Sequence, residues 1–328
     1  MTTILGKKIL LIAPSFFGYE KEIQAELERA GSRVYRFDDR PRNNFLTKLF
    51  LRLGLRLFVK RAVNNHYESI IERTQHISID ILFLVNPEAI TSGEVIALKK
   101  IHPSLKVYIY MWDSVMNKRR ALTLLPVSDR FITFDPEDKK IDARISFLPL
   151  FYTRAFEGIV SRKAMTYDVC FVGSLHSDRY RIVKSACFDG LSAFHFFFSP
   201  SRALFFVQRL VFAAFRRVDL QDVSFQSLSF DQISGAMKKS LAVIDIEHPN
   251  QVGLTMRTIE SLGARKKLIT TNANIKEYDF YDSDNICIVN REMVSVEGEF
   301  FAKPYKSLRP EIYNKYSLRN WLIEVFGQ

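Results

Sequence analysis

Short apolar runs alternate with amphipathic helical stretches along nearly the whole 328-residue chain. This alternation restricts the fold more than any other feature. Runs of this length suit strands, and the helical stretches between them are long enough to carry the chain back across a sheet. That combination produces parallel strands covered by helices on both faces. In the first half the predicted strands are Lys8–Pro14, Arg33–Asp38, Ile79–Asn86, Lys106–Trp112, Arg130–Asp135 and Ile145–Leu150. Helices are predicted over Gly18–Ala30, where Gly31 supplies the stop, over a long basic region at 43–76, and over 91–101. In the second half strands fall at Tyr167–Val172, Ala193–Phe198, Leu241–Ile246 and Ile286–Asn290. Helices fall at 178–188, Ser201–Arg217 and Phe230–Lys239, and a last amphipathic helix spans Glu311–Phe326.

A polar, charged connector at 151–165 separates the halves. The predicted fold is therefore α/β, with two Rossmann-like doubly wound domains facing a central cleft. Residues 1–155 form the first domain, 165–310 the second, and 311–328 a terminal helix that packs back across them. No short-period repeat or low-complexity segment is present. No uncharged apolar run reaches ~18 residues, so no membrane-spanning helix is expected. The apolar run after Lys7 and Lys8 reads as a buried strand, because Pro14 and a helix follow it rather than a cleavage site. The three cysteines, Cys170, Cys187 and Cys287, are far apart in sequence. A disulfide framework or zinc site is not expected, and a reducing cytosol is. The formal net charge of +11 asks for an anionic partner: nucleic acid, a phosphate-bearing ligand or an acidic lipid surface.

Ligands of doubly wound sheets sit at the carboxyl ends of the strands. The richest such place is 242–272, read as strand, polar loop, amphipathic helix and strand. Arg257 and Glu260 are three apart, on one face of the helix's first turns. A helix N-terminus with a nearby arginine suits a phosphate, and a carboxylate one turn further in suits a ribose diol. Gly253 permits close backbone approach, Gln251 and Thr255 add hydrogen-bonding groups, and Thr271 and Asn272 follow the next strand. An ordinary surface ion pair is the competing reading of Arg257 and Glu260.

These residues resemble the nucleotide-sugar site of GT-B glycosyltransferases, in particular bacterial polysaccharide and lipopolysaccharide transferases, CgeB-like proteins among them. The resemblance implies a donor-binding C-terminal domain. Arg257 and the helix N-terminus would hold the diphosphate and Glu260 the ribose. Gln251, Gly253, Leu254, Thr255 and Asn272 would complete the donor set, with Lys266 or Lys267 offsetting leaving-group charge. Many retaining members carry a second glutamate eight residues earlier. Here that position is Val252, so inverting and retaining outcomes both stay open. The turn Gly173-Ser174 opens the donor domain in the same way, with Arg179 adding a phosphate contact. A tight turn capped by Ser177 or Asp178 is the alternative. No Asp-x-Asp motif lies in a suitable loop, and no cofactor is expected beyond the nucleoside-diphosphate sugar substrate.

An inverting transferase needs a base for the acceptor hydroxyl. Asp113, at the end of a strand, is the first candidate, and a helix N-cap by Asp113 or Ser114 is the competing reading. Glu88 and Asp135 also follow strands. His248 reads as a structural or donor contact. In a Rossmann-like first domain the loop Pro14–Tyr19, with Phe17, Gly18 and Tyr19, would touch the acceptor or the donor phosphates, and a plain turn in which Gly18 supplies flexibility is the competing reading.

Lys48, Arg52, Arg56 and Lys60 recur every four residues, and Arg202, Arg209 and Arg216 every seven, both among Phe and Leu. Such helices suit an anionic bilayer surface, or a core-facing helix with a solvated side. The resulting expectation is a cytoplasmic transferase, peripheral on the inner face of the cell membrane. It takes a nucleotide-sugar donor and a glycan or lipid-linked acceptor, and no nucleic acid. The alternatives are a basic nucleic-acid-binding protein, or a non-catalytic nucleotide-binding partner of the same fold.

Overall fold

The computed structural model describes residues 2–41, 59–158, 165–185, 190–249 and 251–327. Lys48, Arg52 and Arg56 lie outside the described residues. Two compact units are present: Met1–Pro149 with Leu318–Gln328, and Leu150–Ser317.

The sheet of the first unit is built from β1 (Lys8–Ile12), β2 (Arg33–Phe37), β3 (Ile81–Val85), β4 (Lys106–Met111), β5 (Arg130–Thr133) and β6 (Ile145–Phe147). Its order is β2-β1-β3-β4-β5-β6 and every pairing is parallel. All five residues of β3 are buried, which is why this strand reads as an unbroken apolar run. Helices α1 (Tyr19–Arg29), α2 (Lys60–Thr74) and α3 (Ser92–Ile101) connect the strands. A capping box fixes the start of α3: Thr91 accepts from the helix backbone and Glu94 reaches back to Thr91. A nine-residue 3-10 stretch at Arg119–Val127 was not predicted. It contains Pro126, which removes an amide donor and hides any helical period.

The second unit contains β7 (Tyr167–Ser174), β8 (Ala193–Phe198), β9 (Val223–Ser224), β10 (Ser240–Asp245), β11 (Lys267–Thr270) and β12 (Ile286–Ile288). The order β12-β11-β10-β7-β8-β9, again parallel, reverses direction between β7 and β10. Helices α4 (Arg179–Ser185), α5 (Arg202–Val211), α6 (Ala213–Arg216), α7 (Phe230–Lys238), α8 (Met256–Gly263), α9 (Gly298–Ala302) and α10 (Pro310–Lys315) complete it. The helix expected over Ser201–Arg217 is divided, because Phe212 is extended (φ −108°, ψ 125°). The two-residue β9 was too short to show a period.

The tail is also two helices rather than one. The second is α11 (Leu318–Phe326), and it belongs to the first unit. Trp321 meets Tyr110 edge-on at 4.6 Å, and Phe326 contacts Phe83 and Tyr108, each at 5.1 Å. Arg130 Nη1 donates to the carbonyls of Glu324, Val325 and Gly327 at 2.6, 3.0 and 2.6 Å, capping the end of α11.

Candidate functional site

Each sheet reverses its strand order once, and ligands of such sheets gather outside the strand ends at that point. In the second unit the reversal lies between β7 and β10. Arg179 bridges it. Its Nη1 donates to Ser174 O at 3.0 Å, and its Nε donates to Ile246 O at 2.8 Å, joined there by Nη2. Burial pulls the Arg179 pKa down to about 10, against the opposing pull of Asp245. Arg179, expected as a phosphate contact, is thus engaged with backbone carbonyls. Gly173 has a matching reason to be glycine. A Cβ there would lie 2.9 Å from Phe171 Cζ and 3.0 Å from Arg179 Nη1. The close approach is made by a side chain of this chain.

Beyond Ser174 the backbone turns through Ser177 at φ 48°, and His176 faces His248 with ring centroids 5.7 Å apart. Burial, reinforced by the positive charge of Arg179, lowers the His176 pKa to about 3, so its ring is neutral at physiological pH. Glu247, two residues past β10, is buried. It accepts from Thr271 Oγ1 at 2.5 Å and pairs with Arg291 at 2.8 Å. Arg291 also pairs with Asp178 at 2.7 Å. Arg291 follows β12 and was missed in the sequence, although its place three residues past that strand's end was a usable signal.

The first turn of α8 carries the predicted donor residues. Thr255 is its N-cap and accepts from the Thr258 amide at 3.2 Å. Both hydroxyls, of Thr255 and Thr258, donate to Asp245 Oδ2 at 2.6 Å. The anion held by this first turn is therefore the buried carboxylate that ends β10, a position that the helix dipole favours. Arg257 Nη1 donates to Glu260 Oε2 at 2.5 Å and lies 3.1 Å from Met237 Sδ of α7. The Glu260 side chain is 1% exposed and that of Arg257 16%. The structure brings the two together as an inward-facing ion pair, with only Arg257 reaching solvent. Leu254 is buried. Gln251 folds back onto Gly253 O at 2.7 Å. Asn272 caps the 3-10 turn Ala273–Glu277 and donates to Val252 O at 3.2 Å, tying the loops after β10 and β11.

Lys266 and Lys267 are corrected. They stand at the amino end of β11, about 10 Å of strand away from the loop ends. Lys266 Nζ donates to Lys238 O at 2.8 Å, and Lys267 Nζ to Asp284 O and Phe300 O at 2.6 and 2.5 Å. Asp282-Ser-Asp284 precedes β12 on that same amino side, with Asp282 paired to Lys306 at 2.7 Å and Asp284 to Lys303 at 3.4 Å.

In the first unit the reversal lies between β1 and β3. Asn86, just past β3, is held at φ 50° and donates to Asp113 Oδ2 at 3.1 Å. Asp113 is half-exposed and pairs with Lys118 at 2.8 Å. The turn after β4 is capped in part by Ser114, whose Oγ accepts from Met116 N at 3.3 Å, as the competing reading had it, and in part by Asp138, which accepts from Val115 N at 2.9 Å and from Ser114 Oγ at 3.0 Å. Lys118 also reaches Glu88, which is buried against Arg40 at 2.7 Å. Burial raises the Glu88 pKa, but the charges of Lys118 and Arg40 outweigh it and leave the group below its ordinary value. Asp135 caps the turn Pro136–Lys140. After β1, Phe17 and Gly18 both adopt positive φ, 50° and 90°. Phe16 and Phe17 are thereby displayed 44% and 37% exposed. Phe16 lies 5.7 Å from Trp112 and 6.2 Å from Tyr19. The result is an aromatic platform of Phe16, Phe17 and Trp112 beside Asp113, with Tyr19 buried behind it; the loop Pro14–Tyr19 indicated the two phenylalanines but not Trp112.

Among the described residues, no group of three His, Cys, Asp or Glu side chains could hold a metal ion, and no helix is long and apolar enough to cross a membrane. Lys60, the last of the four predicted basic positions, is exposed at the start of α2.

Two parallel, doubly wound units in one chain define the GT-B type of fold, shared by glycosyltransferases and by epimerases of nucleotide sugars. The particular likenesses are whole-chain. A glycosyltransferase from Rickettsia africae ESF-5 is similar at a TM-score of 0.59 and 13% identity, with 98% of each chain covered. A glycosyltransferase involved in avilamycin A biosynthesis is similar at 0.57 and 8%, covering 98% of this chain and 97% of that one. The UDP-GlcNAc 2-epimerase of Methanocaldococcus jannaschii, solved with UDP-GlcNAc and UDP, is similar at 0.51 and 10%, covering 98% and 99%. No protein-family profile and no curated protein matches the sequence.

Proposed function

We propose that this chain is a glycosyltransferase that moves a sugar from a nucleoside-diphosphate sugar to a glycan acceptor. The observation that carries the reading is the second unit. The reading is supported by a helix N-terminus that follows β10, with Arg257 in its first turn, and by Arg291 after β12, in a fold shared along its whole length with glycosyltransferases. Arg257 and Arg291 are partly exposed cations, as is Arg181 beside Asp178, and a diphosphate would compete with Glu260, Glu247 and Asp178 for the first two. The leaving group would be stabilised by those guanidinium groups and by the α8 dipole, without a metal. Glu260 would hold the ribose only after Arg257 turns away from it.

Asp113 would take the acceptor hydroxyl proton, and Asn86 and Lys118 would hold its carboxylate in place. The platform of Phe16, Phe17 and Trp112 would stack on the acceptor sugar. We assign the chain to hexosyl transfer in cell-surface polysaccharide, capsule, lipopolysaccharide or O-antigen assembly. The acceptor would be lipid-linked, and the protein a CgeB-like enzyme peripheral on the cytoplasmic face of the membrane. The sequence resemblance and the +11 charge support this finer reading.

The test incubates purified protein with nucleotide sugars and glycan acceptors and follows the products by mass spectrometry. Asp113→Asn is expected to abolish transfer while nucleotide binding persists. Undiminished transfer by this variant would remove Asp113 from the mechanism. A second reading, isomerisation of the donor sugar itself, is favoured by the likeness to the 2-epimerase. It predicts product without any acceptor, which the same experiment distinguishes.

A further inference from the structure

We infer that α5 and α6 form a face that docks on an anionic lipid surface. A helix on a globular unit ordinarily turns its apolar stripe to the core. Helix α5 does the reverse. Ala203, Phe206, Val207, Leu210 and Val211 fall at the i, i+3, i+4, i+7 and i+8 positions of one face. That face points to solvent, with Phe206 47%, Val207 56%, Leu210 78% and Val211 64% exposed. On the other side, Phe205 alone is fully buried and anchors the helix to the core of the unit. The break at Phe212 lets the chain turn into α6, where Phe215 provides a second buried anchor while Phe212 itself stays 54% exposed. Bulky apolar side chains this contiguous and this exposed are uncommon on a soluble surface and mark an interaction site.

Charge identifies the occupant. From 201 to 218 the chain has four arginines, Arg202, Arg209, Arg216 and Arg217, and no acidic residue. Arg209 and Arg216 line a hollow with Phe206 and Leu210, so cations edge the apolar stripe directly. A second copy of the chain would bring four arginines against four, which like-charge repulsion opposes. An anionic bilayer satisfies both halves of the face: the apolar side chains enter the acyl boundary and the guanidinium groups meet phosphates. The docking element is thus placed on the second unit, in the connection between β8 and β9.

The experiment is flotation of the full chain with vesicles of phosphatidylcholine containing phosphatidylglycerol, and with vesicles of phosphatidylcholine alone. Binding to the first and not the second is expected. Leu210→Asp with Phe212→Asp should weaken it at least about tenfold, from lost apolar contact. Arg209→Gln alone should weaken it about fivefold, from one lost charge near the surface. Every one of these side chains is at least partly exposed, and an unchanged melting temperature certifies each variant as folded. Absence of vesicle binding overturns the inference, as does binding that the double variant leaves intact. So does self-association without lipid, seen by sedimentation and abolished by the same variant. Vesicle binding is read apart from sugar transfer, so this inference, which builds on the membrane part of the proposed function, can fail without it.

Discussion

Replacing Arg257 tests whether the Arg257–Glu260 pair is part of the folded core as well as a ligand device. The Glu260 side chain is 1% exposed and accepts from Arg257 at 2.5 Å, so Arg257→Ala removes that guanidinium from beside a buried carboxylate. Breaking one side of a buried pair costs about 3–5 kcal/mol. Arg257 is 16% exposed, and water entering its place offsets part of that, so the lower end, about 3 kcal/mol, is expected. In a unit the size of Leu150–Ser317 each kcal/mol moves the melting temperature by about 2–4 °C, giving a fall of roughly 6–12 °C. Arg257→Met together with Glu260→Met removes both charges, and its melting temperature should recover above that of either single variant. Differential scanning calorimetry of the ligand-free chain at neutral pH measures the parent, Arg257→Ala, each single methionine variant and the double variant. If Arg257→Ala melts within about 2 °C of the parent, or the two changes simply add, the pair is not a buried interaction and the reasoning is refuted.

Gly173→Ala is expected to destabilise the second unit by about 1–3 kcal/mol, because its Cβ meets Phe171 and Arg179; chemical denaturation measures it. His176 has a folded pKa of about 3, below the unfolded value of about 6.5. Its contribution to stability is therefore complete above pH ~6.5 and is lost as pH falls towards the folded value, at up to about 1.4 kcal/mol per pH unit. His176→Phe should flatten that slope in pH-dependent unfolding, and an unchanged slope would deny the burial. Glu88, held below its ordinary value by Lys118 and Arg40 despite burial, contributes stability above the ordinary carboxylate pKa of about 4.3. That contribution is lost as pH falls through its lowered value, so Glu88→Gln should melt lower at neutral pH and match the parent in strong acid.

The strands and their parallel order were legible because burial on both faces leaves unbroken apolar runs such as Ile81–Val85. Helix breaks were less so. Nothing in 201–217 announces that Phe212 is extended, and the gap between α10 and α11 is set by contacts of Tyr316 and Ser317 with Tyr152 far earlier in the chain. At the candidate site the sequence located the first turn of α8 and put Arg257 and Glu260 on one face of it, but as separate ligand contacts or a surface pair, not as a pair with a buried carboxylate. It could not show that Asp245 holds that turn or that Arg179 bridges backbone carbonyls, since both depend on which strands become neighbours. Lys266 and Lys267 were misplaced for the same reason: a short strand separates them from the loop they precede in sequence.

The most direct test of donor binding is titration calorimetry of the full chain with uridine, guanosine, adenosine and thymidine diphosphates and their sugars. Saturable binding of one nucleoside diphosphate is predicted, weakened at least about tenfold in Arg291→Ala by loss of a charge-assisted contact. A ligand at a hundredfold excess over its Kd should also stabilise the chain by about 2.7 kcal/mol. Absence of binding for every nucleotide, or binding that neither Arg257→Ala nor Arg291→Ala weakens, would contradict a donor site at the strand ends of the second unit.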